Sequence, residues 1–366
     1  MPSASVIEKE EKFQKLRSSG EYWRLVAGGF QPPDHSGAAS RFPNYFPLQA
    51  KLRAIAPIVF CAGGLAGAWM RFKFLVRGLV YGVWMERWLE FLEIPEMRAV
   101  ARIYPRLYLK VQWPYLNSSY EPARRLEMVQ SHYRFVLTRF SGPLRSRLLI
   151  PHAFLCLGKW DLPELGTFSL RLSHENPLSQ EGEMLLGLHH DDTDCLYAFF
   201  CFSITGESEI SVGCLQGAKP SPGESSNKDL MIAFTRHLYG SRPKNLLLFA
   251  LRQLAAFWSI DRIRAVSTKR HIWAKDLQTD YDTFWLEVGG SPEPDGMYDV
   301  PTSADFRDLR EIKSKKRSMY RRRYRFLEIL GREINGVLAK PDRPPALIHV
   351  SSSAPAEGSN IPPPSS

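Results

Sequence analysis

Cysteine is scarce in this chain. The 366 residues hold five, Cys61, Cys156, Cys195, Cys201 and Cys214, an odd number with no C-x-x-C pair. That leaves no basis for a disulfide framework or a zinc module, and it fits a reducing compartment. Long apolar runs are missing too. Ala54 to Met70 is seventeen residues without a charge, short of the ~20 that a spanning helix needs. It contains Pro57, Gly63, Gly64 and Gly67 and runs straight into Arg71 and Lys73. The next stretch, Phe74 to Leu92, is broken by Arg77, Glu86 and Arg87. Packed or surface-lying helices are expected here, and Trp69, Trp84 and Trp88 with their neighbouring arginines suit a helix lying in a membrane interface. The opening MPSASVIEKEEKFQKLR has no apolar core behind its charges, so no secretory signal is expected. No repeat of solenoid period occurs. Nor does a G-x-S-x-G, H-E-x-x-H, Walker A or G-x-G-x-x-G motif. Acidic residues are outnumbered, 38 against 48 lysines and arginines, for a net charge of +10. That sign favours nucleic acid, phospholipid, lipopolysaccharide phosphates or a nucleotide-like cofactor without choosing among them.

What is present divides the chain. Residues 1–45 are polar and read as a flexible segment, and 46–116 as a helical region. The Pro/Ser-rich residues 336–366 lack the apolar surface needed to order themselves. Between them, 117–335 reads as an α+β core: a mixed or antiparallel sheet flanked by helices. EPARRLEMVQSHYRFVLTRF places Leu126, Val129, Tyr133, Val136, Leu137 and Phe140 on one helical stripe, with a structural His132 beside it. TFSLRL, EMLLGL, LYAFFCFSI and EISVGC are short apolar runs between turn residues, an antiparallel meander. Ser226 with Asp229 reads as a capping box before LMIAFTRHLYG. A second helix starts at Pro243, with Leu247, Ala250, Leu251, Leu254 and Trp258 as its stripe. RIRAVS is a buried strand, and DYDTFWLEV a short helix stopped by Gly289 and Gly290.

Few residue groups suggest chemistry. LHHDDTD (Leu188–Asp194) has metal-ligand residue types, but Asp and Thr between two strands make turns, and adjacent residues in an extended segment point to opposite faces. A turn is expected and no metal. Gly213 and Gly217 flank Cys214-Leu215-Gln216, marking either close backbone approach or a plain turn. His271, Asp280 and Asp282 follow the RIRAVS strand, at the strand end where sheets of this kind bind ligands. They are the acid–base candidates, with a solvated loop as the plainer reading. The order of parts from Gln216-Gly217 through Arg242-Pro243-Lys244 to Tyr281 and Phe284-Trp285 resembles GNAT-type acyltransferases. In those, a helix N-terminus holds the cofactor pyrophosphate. The resemblance implies acyl-CoA as cofactor, with Gln216, Arg242 and Lys244 at its phosphates. The glycine-rich signature of that family is absent, and one helix too many separates the strands.

A second resemblance covers residues 99–330. AVARIYP, HYRFVLTRF, EGEMLLGL, LYAFFCFSI, ISVGCLQG, LYGSRPKNLLLFALRQLAAFW, IRAVS, DYDTFWLEVGG and SKKRSMYRRRY resemble, in order and spacing, the VirK/YbjX family of bacterial proteins. LYGSRPKNLLL, DYDTFW and SKKRSMYRRRY carry most of the specificity. The resemblance implies a role in envelope maintenance or virulence in Gram-negative bacteria, including surface-protein display and antimicrobial-peptide resistance. It supplies no reaction and no catalytic residue. STKRHIWAKDLQT is shortened against the pattern, and the C-terminal tail is longer.

SKKRSMYRRRY is also the densest charge in the chain. Lys315, Lys316, Arg317, Arg321, Arg322 and Arg323 lie on a helix whose inner side is Ile312, Met319, Phe326, Leu327 and Leu330. Like charges three and four residues apart repel, so the run is expected to meet an anionic ligand or a membrane surface. A solvated face is the plain alternative. Nucleic acid, with Tyr320 and Tyr324 stacking on bases, is less favoured because no recognised nucleic-acid module surrounds the run. A cytoplasmic protein follows, with peripheral contact at the inner membrane left open.

Overall fold

Alternation sets the sheet. In the computed structural model the described residues are 45–149, 153–174, 180–217, 227–277, 279–303 and 306–350. Nine strands form one sheet: β1 (Leu155–Leu162), β2 (Gly166–Ser173), β3 (Met184–His190), β4 (Cys195–Thr205), β5 (Glu209–Gly217), β6 (Arg262–Val266), β7 (Ser291–Pro292), β8 (Met297–Val300) and β9 (Leu347–His349). Their order is β7-β8-β6-β5-β4-β3-β2-β1-β9. β1 to β5 are the expected antiparallel meander, and β5 to β6 is a parallel step. β8 then returns antiparallel to β6. In β3 the five residues from Met184 to Leu188 are all buried. Such a run has no polar alternation because both faces of a central strand are covered.

The helices are α1 (Tyr45–Val59), α2 (Gly64–Val80), α3 (Gly82–Leu92), α4 (Pro95–Ile103), α5 (Pro122–Arg139), α6 (Gly142–Leu148), α7 (Asn227–His237), α8 (Pro243–Phe257), α9 (Tyr281–Glu287) and α10 (Ser314–Ala339). α1 to α4 build one apolar core with the first half of α5, around Trp88, Met97 and Val111. The second half of α5 joins α8 and α10 in the core of the sheet. Pro243 opens α8 at its first helical position, where its missing N–H has no helical partner to lose. The whole predicted stripe, Leu247, Ala250, Leu251, Leu254 and Trp258, is buried. α7 is the additional helix between β5 and α8.

One boundary moves. Residues 336–350, expected to be disordered, complete α10 and then place β9 parallel to β1, with Ile348 opposite Trp160. Ile348 and Val350 are buried. A three-residue strand offers too short a pattern to read, and it is stable only because β1 presents a free edge. Residues 351–366, the segment 1–44, Ser226 and the side chain of Asp229 lie outside the described residues. Among the described residues no helix is long and apolar enough to cross a membrane. Trp88 is fully buried and donates to Leu107 O at 2.7 Å, Trp84 is half-buried, and Trp69 is exposed.

Candidate functional site where β5 leaves β6

A β-bulge makes the site. Cys201 pairs with Cys214 and Phe202 with Val212, so Gly213 is the extra residue on β5. A bulge bends its strand and is common beside functional sites. Glycine is required, because a Cβ at 213 would lie 2.1 Å from Glu181 O. Of the two glycines flanking Cys214-Leu215-Gln216, then, Gly213 marks a close backbone approach. Gly217 has open space around it. The bulge falls where the parallel pairing stops. Glu209–Val212 lie against Arg262–Ala265, while Val266 pairs only with Met297 on β8. Beyond that point, among the described residues, the β5 edge from Cys214 to Gly217 has no strand on the β6 side. The carboxyl end of such a parallel pair is where α/β sheets take ligands.

Buried polar side chains converge there. Glu181, Cys214 and His271 are each no more than 1 % exposed. Their ligating atoms all lie within 4.8 Å of one another. Glu181 precedes β3, Cys214 follows the bulge, and His271 follows a 3-10 turn (Thr268–Arg270) whose cap is Ser267. His271 Nε2 is 3.4 Å from Glu181 Oε1. The Trp273 N–H donates to His271 Nδ1 at 3.1 Å, so in the neutral ring Nε2 carries the proton and points at the carboxylate. Burial lowers the His271 pKa, but the hydrogen bonds and charges of Cys214 and Glu181 outweigh it and raise it to about 9. The imidazolium they favour must surrender the Trp273 bond, which sets the two protonation states in competition. Burial pushes the Cys214 thiol well up, and Tyr281 OH donates to its Sγ at 3.5 Å. A metal-bound histidine donates its other N–H to a neighbour, whereas Nδ1 here accepts. The three side chains thus form a buried acid–base cluster, with His271 Nε2 facing Glu181 Oε1. Tyr281 and Trp285, both fully buried, fill the wedge between the strands, and Trp285 Nε1 donates to Val266 O at 3.0 Å.

A second buried network lies between the helical core and the sheet. Lys110 pairs with Glu183 at 4 % and 3 % side-chain exposure. Tyr133 OH donates to Glu183 Oε2 at 2.6 Å, and Ser203 Oγ accepts the Glu183 N–H at 2.9 Å. Tyr115 OH meets Ser203 Oγ at 2.7 Å. Burial raises the Glu183 pKa, but Lys110, His132 and His174 together bring it below the ordinary value. His132 accepts the Ile204 N–H at 3.2 Å, the structural role expected for it. Desolvation holds the His132 pKa down to about 3 and the His174 pKa to about 4.

The acid–base candidates separate. Only His271 joins the cluster. Asp280 caps α9, accepting from Thr283 N at 3.2 Å and from the Thr283 hydroxyl. Those bonds lower its pKa. Asp282 accepts from Thr268 N at 3.1 Å. Both brace the turn that carries His271. Gln216 is half-buried on β5 opposite Phe199. Arg242 stands at the N-cap position of α8 without a side-chain capping bond, and pairs with Glu287 at 2.7 Å. Lys244 lies 5.8 Å over Phe284. Burial and then Arg242 lower its pKa. LHHDDTD is the end of β3 and the turn Asp191–Asp194 to β4: His190 bonds Thr193 Oγ1 and Leu165 O, and Asp191 accepts from Arg171 at 2.7 Å.

The basic run is an ordered helix with two kinds of cation. Arg317 donates to Ile312 O and Arg310 O, and Arg323 donates twice to Tyr239 O. Those two hold the helix to its surroundings. Lys315, Lys316, Arg321 and Arg322 are exposed, and no described carboxylate forms an ion pair with them. Tyr320 and Tyr324 pack edge to face, Arg323 lies 4.4 Å over Tyr320, and Tyr324 packs on Phe306. The tyrosines are thus engaged within the protein, which weakens the base-stacking reading.

Sequence reasoning missed Glu181 and the Lys110–Glu183 pair, and it singled out Cys214 and Tyr281 without assigning either a role in the cluster. The available signal was EGE before an apolar strand and a lone lysine in RLYLKVQW, neither distinctive without the fold.

The family model described as "Protein of unknown function (DUF535)" matches residues 64–336, about three quarters of the chain. The chain is 28% identical over 271 residues to the uncharacterized protein YbjX of Escherichia coli strain K12, covering 71% of this chain and 81% of YbjX. It is 27% identical over 208 residues to an uncharacterized protein of Haemophilus influenzae, covering 54% of this chain and 68% of that protein. No solved structure matches.

Proposed function

The chain belongs to the DUF535 family, which includes YbjX, and we propose that it is an acyltransferase-type protein taking a phosphorylated thioester carrier of the CoA class where β5 leaves β6. The observation that carries this reading is the bulge at Gly213 at the end of a parallel pair joined by a helical crossover. The start of α8 suits the carrier's phosphates through Arg242 and Lys244, and the end of β5 beyond its pairing with β6 suits its amides. The wedge itself is filled by Tyr281 and Trp285. His271 and Glu181, 3.4 Å apart, would be the acid–base pair beside that strand end.

Thermal shift with CoA and acyl-CoAs is the test. A ligand at 100 times its Kd stabilises by about 2.7 kcal/mol, a rise on the order of 5 °C. Arg242→Ala with Lys244→Ala should remove that rise. No stabilisation at millimolar ligand sinks the reading.

A second reading rests on Lys315, Lys316, Arg321 and Arg322, exposed and without described ion-pair partners. Here α10 contacts an anionic partner, consistent with the envelope role that the family resemblance implies. Replacing those four by alanine, and leaving Arg317 and Arg323 in place, should abolish a salt-sensitive interaction with phosphate-bearing ligands. Unchanged binding removes α10 from the account.

A further inference from the structure

α2 is built inside out. Its sequence GLAGAWMRFKFLVRGLV has no acidic residue. Its inward side is Gly67, Phe74 and Gly78. A Cβ on Gly67 would overlap Ala62 O at 1.8 Å, and one on Gly78 would meet Leu52 at 2.6 Å. The glycines let α2 lie tightly on the chain below it. Its large apolar residues face out instead: Leu65 is 92 % exposed, Trp69 55 %, Phe72 53 %, Val76 43 % and Val80 75 %. Their spacing of three and four residues is one helical face. At 17 residues the stripe runs ~25 Å. Trp69 stacks on Phe72 with ring centroids 5.6 Å apart, and Lys73 sits 5.0 Å over Trp69.

Contiguous exposed apolar surface of this kind marks an interaction site. We propose that α2 lies in the surface of an anionic phospholipid bilayer, with the stripe among the acyl chains and Arg71, Lys73 and Arg77 at the headgroups. Charge selects the occupant. A second copy docked on the same face would set these three cations against their own kind, with no acid on α2 to offset them. An anionic lipid surface answers both the apolar stripe and the cations, the composition by which interfacial helices bind. The inference is independent of the acyltransferase reading and of α10.

Co-sedimentation of the full chain with vesicles tests it. Binding to an equal mixture of phosphatidylglycerol and phosphatidylcholine should exceed binding to phosphatidylcholine alone by about ten-fold or more at low salt. Trp69→Asp with Phe72→Asp should abolish sedimentation while the thermal midpoint is kept, because both side chains are more than half exposed. If that variant fails to fold, Leu65→Asp with Val80→Asp serves instead. Replacing Arg71, Lys73 and Arg77 by glutamine should erase the preference for the anionic lipid. A wild-type chain that stays in the supernatant with anionic vesicles overturns the proposal. So does binding that survives both aspartate variants, since α10 or another basic surface would then be responsible.

Discussion

Lys110→Met probes the buried network most directly. Lys110 and Glu183 are almost wholly out of water, and removing one partner strands the other. Such losses cost about 3–5 kcal/mol. The remaining Tyr133 hydroxyl, 2.6 Å from Glu183 Oε2, is one donor where there were two. The effect carries a pH signature. In the wild type the folded Glu183 pKa lies below the ordinary value. Its stabilisation is therefore present above the unfolded pKa of about 4.3 and lost as pH falls through the folded value. In the variant burial is unopposed by Lys110, and the folded pKa rises. The penalty then grows with pH above about 4.3 by up to ~1.4 kcal/mol per unit, until the new folded pKa is passed. Urea unfolding at pH 5 and pH 7 should show the gap from wild type widening by about 2–3 kcal/mol. Lys110→Met combined with Glu183→Leu should recover most of the loss, because an apolar pair of similar volume replaces a buried ion pair at little net cost. A single variant within about 1 kcal/mol of wild type at pH 7 would refute the argument. So would a double variant no more stable than the single one.

Acid should destabilise the protein early. His132 and His174 stay neutral in the fold, with pKa about 3 and about 4, while the unfolded chain protonates them near 6.5. Stability should fall below pH 6.5 by up to ~2.7 kcal/mol per unit for the two together. His271, raised to about 9, acts oppositely: its contribution is full below about 6.5 and lost as pH rises through 9. Thermal midpoints measured from pH 5 to 10 should therefore peak near neutrality, and a flat profile from 6.5 to 5 would contradict this. Gly213→Ala should lower stability by about 1–3 kcal/mol, because the added methyl lies 2.1 Å from Glu181 O; a neutral effect in urea unfolding would show that the bulge relaxes. Asp280→Ala should lower the thermal midpoint through the lost helix cap on α9, and an unchanged midpoint would show that the Thr283 bonds contribute nothing.

The fold was legible where a pattern repeats. Apolar runs between turn residues gave β2 to β5, and the α8 stripe is buried to the last member. β9 and the β7–β8 hairpin were not legible, because two to four residues carry no period. The acid–base candidates show the limit for sites. His271, Asp280 and Asp282 are near neighbours in the chain, yet only the histidine turns inward. Asp280 accepts the Thr283 N–H at the start of α9, and Asp282 accepts the Thr268 N–H of the turn that carries His271. Helix-capping carboxylates and catalytic ones have the same composition, and a hydrogen-bond partner decides between them.

By itself the sequence determined the α+β class, the meander, the start of α8, the excess of cations and the ordered basic helix, since each depends on local spacing or charge. Only the tertiary structure decided that Glu181, Cys214 and His271 meet, drawn from three separate segments by a single-residue bulge. It also decided which cations of the basic run are already bound to carbonyls, and which face of α2 looks outward. Helical spacing identifies a stripe, but what packs against it depends on the whole chain. Here tightly packed glycines took the inner side and left the tryptophan to the surface.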